Sequence, residues 1–388
     1  MTQRHAEIAG AGFAGLAAAI ALRQAGWSVT VHERGEEIRA YGSALALSEN
    51  GLQVLEMLDA FDDAVRGAFP LDNRETRDGT GRLISAYNWK TESSTLRMFM
   101  LLRSRVIDAL AASARRAGVE IRISSEVGEV DERGSLTLAD GTIRTADLAI
   151  VADGARSKGR VRQSLLASHT RYADGSIRML LPRPTDWKDG TFVEYWSGRR
   201  RAMLAPCSEA HCYLGLIARQ DDANAIRVPI LPAVWIESFP FLAPLLAAIP
   251  QQERWSWDQY QRVRLRQWHR GRVAVLGDAA HAMSPNFGQG AALAMVSAVS
   301  LASATVEETD LERALKIWEA RERPLVDRTQ LLSGLYSNLM AWPARLRDGA
   351  LAAMGKSRWI MRQRTLAAYR TPPAHHLSRP AQAALLEL

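Results

Sequence analysis

Three stretches of the chain hold residues whose types and spacing could do chemistry. The first is Gly10-Ala11-Gly12-Phe13-Ala14-Gly15, with Glu33 following 18 positions after Gly15. Gly10 suits a tight turn, Gly12 would let a phosphate reach the backbone, and Gly15 would let a helix pack closely on a strand. Glu33 could then accept hydrogen bonds from ribose hydroxyls. The second stretch is Asp153-Gly154-Ala155-Arg156-Ser157, in which Asp153 would position a loop carrying Gly154 and Arg156. The third runs from Gly277-Asp278 to Pro285-Asn286-Phe287-Gly288-Gln289-Gly290. Asp278 could accept from further hydroxyls, and the N–H groups of residues 288–290, opening a helix, could face negative charge. The chemistry implied is the binding of a hydroxyl-rich, partly anionic dinucleotide.

The elements that must position these residues are readable from apolar periodicity. Residues 5–10 and 28–32 read as buried strands around a helix over 16–24 that Gly26 closes. Residues 273–276 read as another buried strand, and the Ala-rich run behind residue 290 as a helix apolar on every side. A helix is expected over 50–58, strands leaving the nucleotide domain over 68–95, and a helix from 102 to 110. Strands at 119–124, 135–139 and 142–144 form a small set with an Asp140-Gly141 hairpin turn, and 148–151 is a buried strand. From about 171 to 268, short runs at 177–181, 192–196, 201–204 and 213–217 suggest a mostly antiparallel sheet, with a helix over 233–239. Helices at 311–323 and 325–339 follow, and Pro372-Pro373 and Pro380 break the tail. The fold class is α/β: a Rossmann-like βαβ domain, an antiparallel second sheet and a C-terminal helical segment.

Composition removes several other classes. The formal net charge is +7, yet only five of the 49 basic residues are lysine, and they are scattered. The densest patch is Arg199-Arg200-Arg201, and no recognisable nucleic-acid module accompanies it, so nucleic acid is not an expected partner. No uninterrupted apolar run of about 18 residues suggests a membrane span, and no basic leader is apparent. Two cysteines, Cys207 and Cys212, cannot build a disulfide framework, and with His211 they lack metal-ligand spacing. A cytoplasmic protein without a metal is expected.

In that order, the three motifs resemble those of the single-component FAD-dependent aromatic hydroxylases, the group that includes p-hydroxybenzoate and salicylate hydroxylases. The resemblance covers roughly residues 5–330. It implies FAD as cofactor, NAD(P)H as a transient co-substrate, O2 as oxidant and a flavin C4a-hydroperoxide that hydroxylates the ring. It also implies a glutathione-reductase-type FAD domain from residues 1–70, 100–170 and 270–330. A substrate domain would take 71–99 and 171–269, and a helical segment 331–388. Cofactor contacts would come from Gly10, Gly12, Phe13, Ala14, Gly15, Glu33, Arg34, Arg39, Arg103, Val127, Asp153, Gly154, Asp278, Pro285, Gly288, Gln289 and Gly290. Only one dinucleotide fingerprint is present, in keeping with a nicotinamide that docks transiently.

Within the family, AGFAGLAAAIALRQAGW, GDAAHAMSP and APCSEAHCYLGL are similar to segments of the oxygenases acting on pyridine rings, which can also open the ring. This implies a small anionic aromatic or heteroaromatic substrate. A substrate-facing arginine of that group falls on Arg201 and a tyrosine on Tyr213; two further tyrosines fall on Ala46 and Arg74 and are absent. Pro285 would set a carbonyl beside substrate and flavin, making Pro285, Arg201 and Tyr213 the expected catalytic set. From the residues themselves, Arg74, Arg178 and Arg201 on strands could clamp a carboxylate or be solvated surface arginines. Tyr213 could donate to a ring substituent or fill the core, and His281 could be a base or a structural contact. A flavin halogenase or reductase, or a non-catalytic FAD-binding redox module, are the alternatives. Trp255-Ser256-Trp257 is followed by Asp258-Gln259, not by the Ile-Pro ending expected of a halogenase. A monomer or homodimer is expected.

Overall fold

The structure, a computed structural model, describes residues 3–38, 43–92, 95–158, 165–184, 187, 190–250 and 255–373. Arg39 lies outside the described residues. Its core is a six-stranded sheet in the order His269–Arg270, Val273–Val275, Leu148–Val151, His5–Ala9, Ser28–His32, Glu120–Arg122. All neighbours are parallel except the edge pair formed by His269–Arg270. Leu148–Val151, buried on both faces, is an unbroken apolar run and stands at the expected residues; Ser28–His32 does too, with Thr30 and His32 buried among its valines. Glu120–Arg122, expected among the small strand set, instead extends this sheet beside Ser28–His32. The set is completed by Val127–Val130, which pairs with Ser135–Leu138.

Two apolar helices, Phe13–Gln24 and Gly290–Glu307, pack together against this sheet. Gly290–Glu307 is long and apolar enough to cross a membrane, but 78% of it is buried within the fold. Its apolar surface is therefore spent on the core. The next helix, Leu311–Asn338, is continuous through Pro324, where a break was expected. Leu315, Trp318, Glu322, Val326, Thr329, Ser333 and Tyr336 are buried at a spacing of three or four residues. One stripe spans both halves, and its burial outweighs the roughly 3 kcal/mol cost of an interior proline.

The second sheet has seven strands in the order Asp258–Leu265, Leu166–Pro182, His211–Arg219, Arg200–Pro206, Thr191–Ser197, Asn73–Asp78, Leu83–Asn88. It is antiparallel except where Asn73–Asp78 joins Thr191–Ser197 in parallel. Leu166–Pro182 is far longer than the run expected at 177–181, because its first half is polar and exposed and lacks alternation. One face, with Ile177, Met179, Leu204, Leu214 and Leu216, packs on Trp235 and Phe239. The other turns toward Tyr336, Met340 and Leu351 of the C-terminal helices. Helices Ala344–Lys356 and Arg358–Thr365 close that side.

Candidate active site

The first glycine motif is built by sterics. Gly10 has φ +99°, donates to the His32 carbonyl at 2.7 Å, and a Cβ there would stand 2.6 Å from the Ala152 carbonyl oxygen. A Cβ on Gly15 would run into the Gly10 carbonyl, so this helix and strand meet only through glycine. Gly12 ends the Phe13–Gln24 helix without a side-chain cap, and space is open above it. The helix N-terminus therefore faces a cleft of about 510 Å³. Phe13, Glu33, Arg34, Arg103, Val127, Asp153 and Gly154 also line this cleft. Ala14 is buried beneath it. The Glu33 carboxylate accepts from the N–H groups of Ala11 and Gly35, each at 3.0 Å. Each of its oxygens keeps a lone pair for a ribose hydroxyl.

The third motif frames the other end. Gly277, at φ +60°, begins a short helix from which Asp278 projects into solvent. Pro285–Phe287 forms one turn of 3₁₀ helix, ended by Gly288 in the left-handed region at φ +64°. The Gln289 side chain is not offered to a ligand: it donates to Ser48 Oγ at 2.9 Å and accepts from Asn50 Nδ2 at 3.1 Å. The backbones of Gln289 and Gly290 stand at the start of the Gly290–Glu307 helix, while the Gly288 N–H is already donated to the Pro285 carbonyl at 3.0 Å. Arg103 begins the helix Arg103–Arg116, with its guanidinium 4.8 Å from the Phe13 ring. Its Nε is buried without an acceptor. Burial and Arg178 lower its pKa. An uncapped helix end, a carboxylate with spare lone pairs and an orphaned guanidinium N–H fit an anionic, hydroxyl-bearing flavin dinucleotide.

The candidate substrate residues share one face of the seven-stranded sheet. Register sets Arg178 beside Gly215, Tyr213 beside Leu180 and Ala205, Arg201 beside Ile217 and Trp196, and Glu194 beside Met203 and Thr76. Gly215 is required there, since a Cβ would stand 2.6 Å from the Tyr213 hydroxyl. Burial pushes the Tyr213 phenol up to about 12, so it is a neutral donor. Arg178 is half-buried, with its guanidinium 5.7 Å from the Tyr260 ring. No carboxylate among the described residues lies within ion-pair distance of it. Burial works against its charge, but Tyr260 and Tyr213 more than offset this and its pKa is raised.

Arg74 and Arg201 converge on a residue that sequence reasoning missed. Glu194 is fully buried and takes Arg74 Nη2 at 2.6 Å and the Tyr336 hydroxyl at 3.0 Å, both on Oε2. Arg201 Nη2 lies 2.9 Å from Oε1 without hydrogen-bond alignment, as a charge contact. Burial alone would raise the Glu194 carboxyl, yet Arg201, Arg74 and Arg364 hold it down at about 2. Arg201 also donates to Asn286 Oδ1 at 2.9 Å. Asn286 in turn donates to Ser284 Oγ, the Ser333 carbonyl and Ser337 Oγ at 3.1, 2.9 and 2.8 Å. Arg201 therefore ties the substrate sheet to the turn that carries Pro285. Glu194 was findable, because it alternates with Phe192 and Trp196 on one strand face. Asn286, Tyr260, Tyr336 and Arg364 carried no comparable signal. His281 is buried against Trp268 with neither ring nitrogen paired, and burial depresses its pKa.

A parallel sheet with an uncapped helix over a glycine turn, facing a second sheet across a left-handed glycine loop, defines a flavin-dependent oxidoreductase. Residues 4–327 match the FAD binding domain family, and the chain belongs to it. AqdB1 of Rhodococcus erythropolis, named as a candidate 2-heptyl-3-hydroxy-4(1H)-quinolone synthase, is 40% identical over 95% of this chain and 97% of its own length. The 2-heptyl-3-hydroxy-4(1H)-quinolone synthase of Mycobacteroides abscessus is 35% identical over 92% of this chain and 96% of its own. Among solved structures, the tetrameric form of 2-methyl-3-hydroxypyridine-5-carboxylic acid oxygenase superposes with a TM-score of 0.86. It is 38% identical over 96% of this chain and 98% of that one. The protein is an FAD-dependent monooxygenase of the aromatic-hydroxylase type, using NAD(P)H as reductant and O2. The expected monomer or homodimer does not stand, since this similar oxygenase is a tetramer.

Proposed function

We propose that the enzyme hydroxylates an N-heteroaromatic ring of the pyridine or 4-quinolone type that bears a hydroxyl or oxo group. The observation that carries this reading is Arg178. It is the guanidinium on the substrate face with no carboxylate partner, while Arg74 and Arg201 share Glu194. One unpaired guanidinium suits one negative charge on the substrate, and Tyr213 beside it donates to the ring oxygen or nitrogen. FAD, when bound, supplies the oxygen chemistry. The chain's own residues orient the ring and keep water out. Gly10, Gly12 and Gly15 admit the dinucleotide, with Phe13, Ala14, Arg34, Val127, Asp153 and Gly154 along its path. Glu33 and Asp278 hold its hydroxyls, Arg103 and residues 288–290 face its negative charge, and the Pro285 carbonyl borders the substrate. The FAD part takes residues 1–70, 100–170 and 270–330, and the substrate part 71–99 and 171–269; of the C-terminal segment 331–388, the described residues to 373 pack on both parts. Its need for reduced nicotinamide suits a cytoplasmic site of action. The names of the similar quinolone synthases and of the pyridine-carboxylate oxygenase support this ring class.

The test is a panel of 4-quinolones, hydroxypyridine carboxylates and plain benzoates, scored by stimulated NAD(P)H oxidation, O2 uptake and product mass. A gain of one oxygen atom on the N-heterocycles, with Arg178→Met lowering kcat/KM about 10- to 100-fold, is the expected result. Preference for benzoates, or an Arg178→Met enzyme as active as the parent, would refute it.

A further inference from the structure

Arg74 also lines a second and much smaller cavity. Its volume is about 20 Å³, and its walls include Arg74, Thr76, Ser85, Tyr87, Gly355 and Arg364. It sits where the C-terminal helices meet the sheet edge. Gly355 presses so closely on Ser85 that a Cβ there would collide with it. Arg364 reaches in from the helix Arg358–Thr365, with its guanidinium 4.5 Å from the Tyr336 ring and 5.3 Å from the Phe287 ring.

The charges that meet at Arg74 and Arg364 do not balance once Arg201, Glu194 and Asp174, beyond the cavity wall, are counted. Arg74, Arg201 and Arg364 all act on one carboxylate, Glu194. Asp174 also acts on Arg201, but burial raises its pKa and so weakens its charge. Even with Asp174 ionised, three guanidiniums meet two carboxylates. Arg364 Nη2, Arg74 Nε and Arg201 Nε are buried with no acceptor. An uncompensated buried charge is strongly destabilising, and orphaned buried donors add to that cost. The volume is enough for one water-sized body. A water would satisfy a donor and leave the charge, whereas a monoatomic anion answers both.

We propose that this cavity binds a single inorganic anion of halide size between Arg74 and Arg364, and that the ion fastens the Arg358–Thr365 helix to the substrate sheet. A carboxylate-bearing substrate is too large for the space, so the proposal does not rest on the substrate reading. The thermal midpoint of the FAD-loaded full-length protein tests it, with sodium gluconate replaced stepwise by sodium bromide at constant ionic strength. Bromide should give a saturable rise in Tm of about 2–4 °C that gluconate, being too large, cannot give. Arg364→Met should abolish the response and Arg364→Lys should keep part of it. If Arg364→Met does not fold, crystals of the parent protein soaked in bromide decide the matter by anomalous scattering. A peak between Arg74 and Arg364 supports the proposal. Equal Tm in the two salts, or anomalous peaks only elsewhere, overturns it.

Discussion

Replacing Glu194 by Gln removes one negative charge from the middle of the substrate face while keeping shape and an acceptor for Tyr336. The Glu194 carboxyl falls from an ordinary 4.5 to about 2 in the folded chain, through Arg201, Arg74 and Arg364 and against its own desolvation. At about 1.4 kcal/mol per tenfold, that drop is worth about 3 kcal/mol at neutral pH. Glu194→Gln also leaves Arg74 and Arg201 buried without their partner, so a loss of about 3–5 kcal/mol is expected. Against a total of about 5–15 kcal/mol the variant should still fold, most readily with excess FAD. The carboxyl's pKa is depressed on folding, so its contribution is complete above about 4.5 and fades as pH falls toward about 2. Urea denaturation of both proteins across that range is the assay. The gap between them should be constant near neutrality and shrink as the parent's Glu194 takes up its proton. Equal stability at neutral pH, or a gap unchanged in acid, would refute the claim that this carboxylate is ionised and shared.

Three further outcomes are expected. Gly15→Ala places a Cβ against the Gly10 carbonyl and should yield chain without bound flavin, read as yellow absorbance per mole of protein; a full flavin complement would contradict the steric account. Asn286→Ala removes the hydrogen-bond acceptor of Arg201 and the amide donor shared among Ser284, Ser333 and Ser337, and should cost about 2–4 kcal/mol in urea. It should also lower product formed per NAD(P)H consumed, because the Pro285 turn loses its tie to the substrate sheet. Burial pushes the Cys207 and Cys212 thiols up to about 12 and about 11, so neither should be alkylated by iodoacetamide at about pH 8 until the chain is unfolded, as mass spectrometry of the intact protein would report.

What the sequence made legible is what the backbone demands of residue type. Gly10 and Gly15 are written into the chain because any side chain would strike a carbonyl there. The inner strands of the parallel sheet are buried on both faces, so their ends are marked by where the apolar run stops. The long strand Leu166–Pro182 was only half visible, because its exposed half pairs with Asp258–Leu265 through backbone hydrogen bonds that impose no pattern. Pro324 misled for the opposite reason: a local rule was overridden by one buried stripe. The Arg74–Glu194 pair joins residues 120 positions apart, and Tyr336 reaches the same carboxylate from 142 positions away. Nothing local announces such partners.

Arg201 shows why that matters for function. From the sequence, its resemblance to a substrate-facing arginine made it a candidate anion clamp. Its hydrogen-bond partner, however, is Asn286 in the Pro285 turn, and its charge partner is Glu194. The same Glu194 receives Arg74. An arginine in that place adds a buried positive charge, and a buried charge without a partner is not tolerated. The carboxylate across the strand pair is the compensation, and it reaches Arg201 at the same time. In this chain the Arg201 guanidinium is thus already engaged, by Glu194 and by Asn286. Arg178, with no carboxylate within ion-pair distance among the described residues, is the guanidinium that the proposed reading sets against the substrate's negative group.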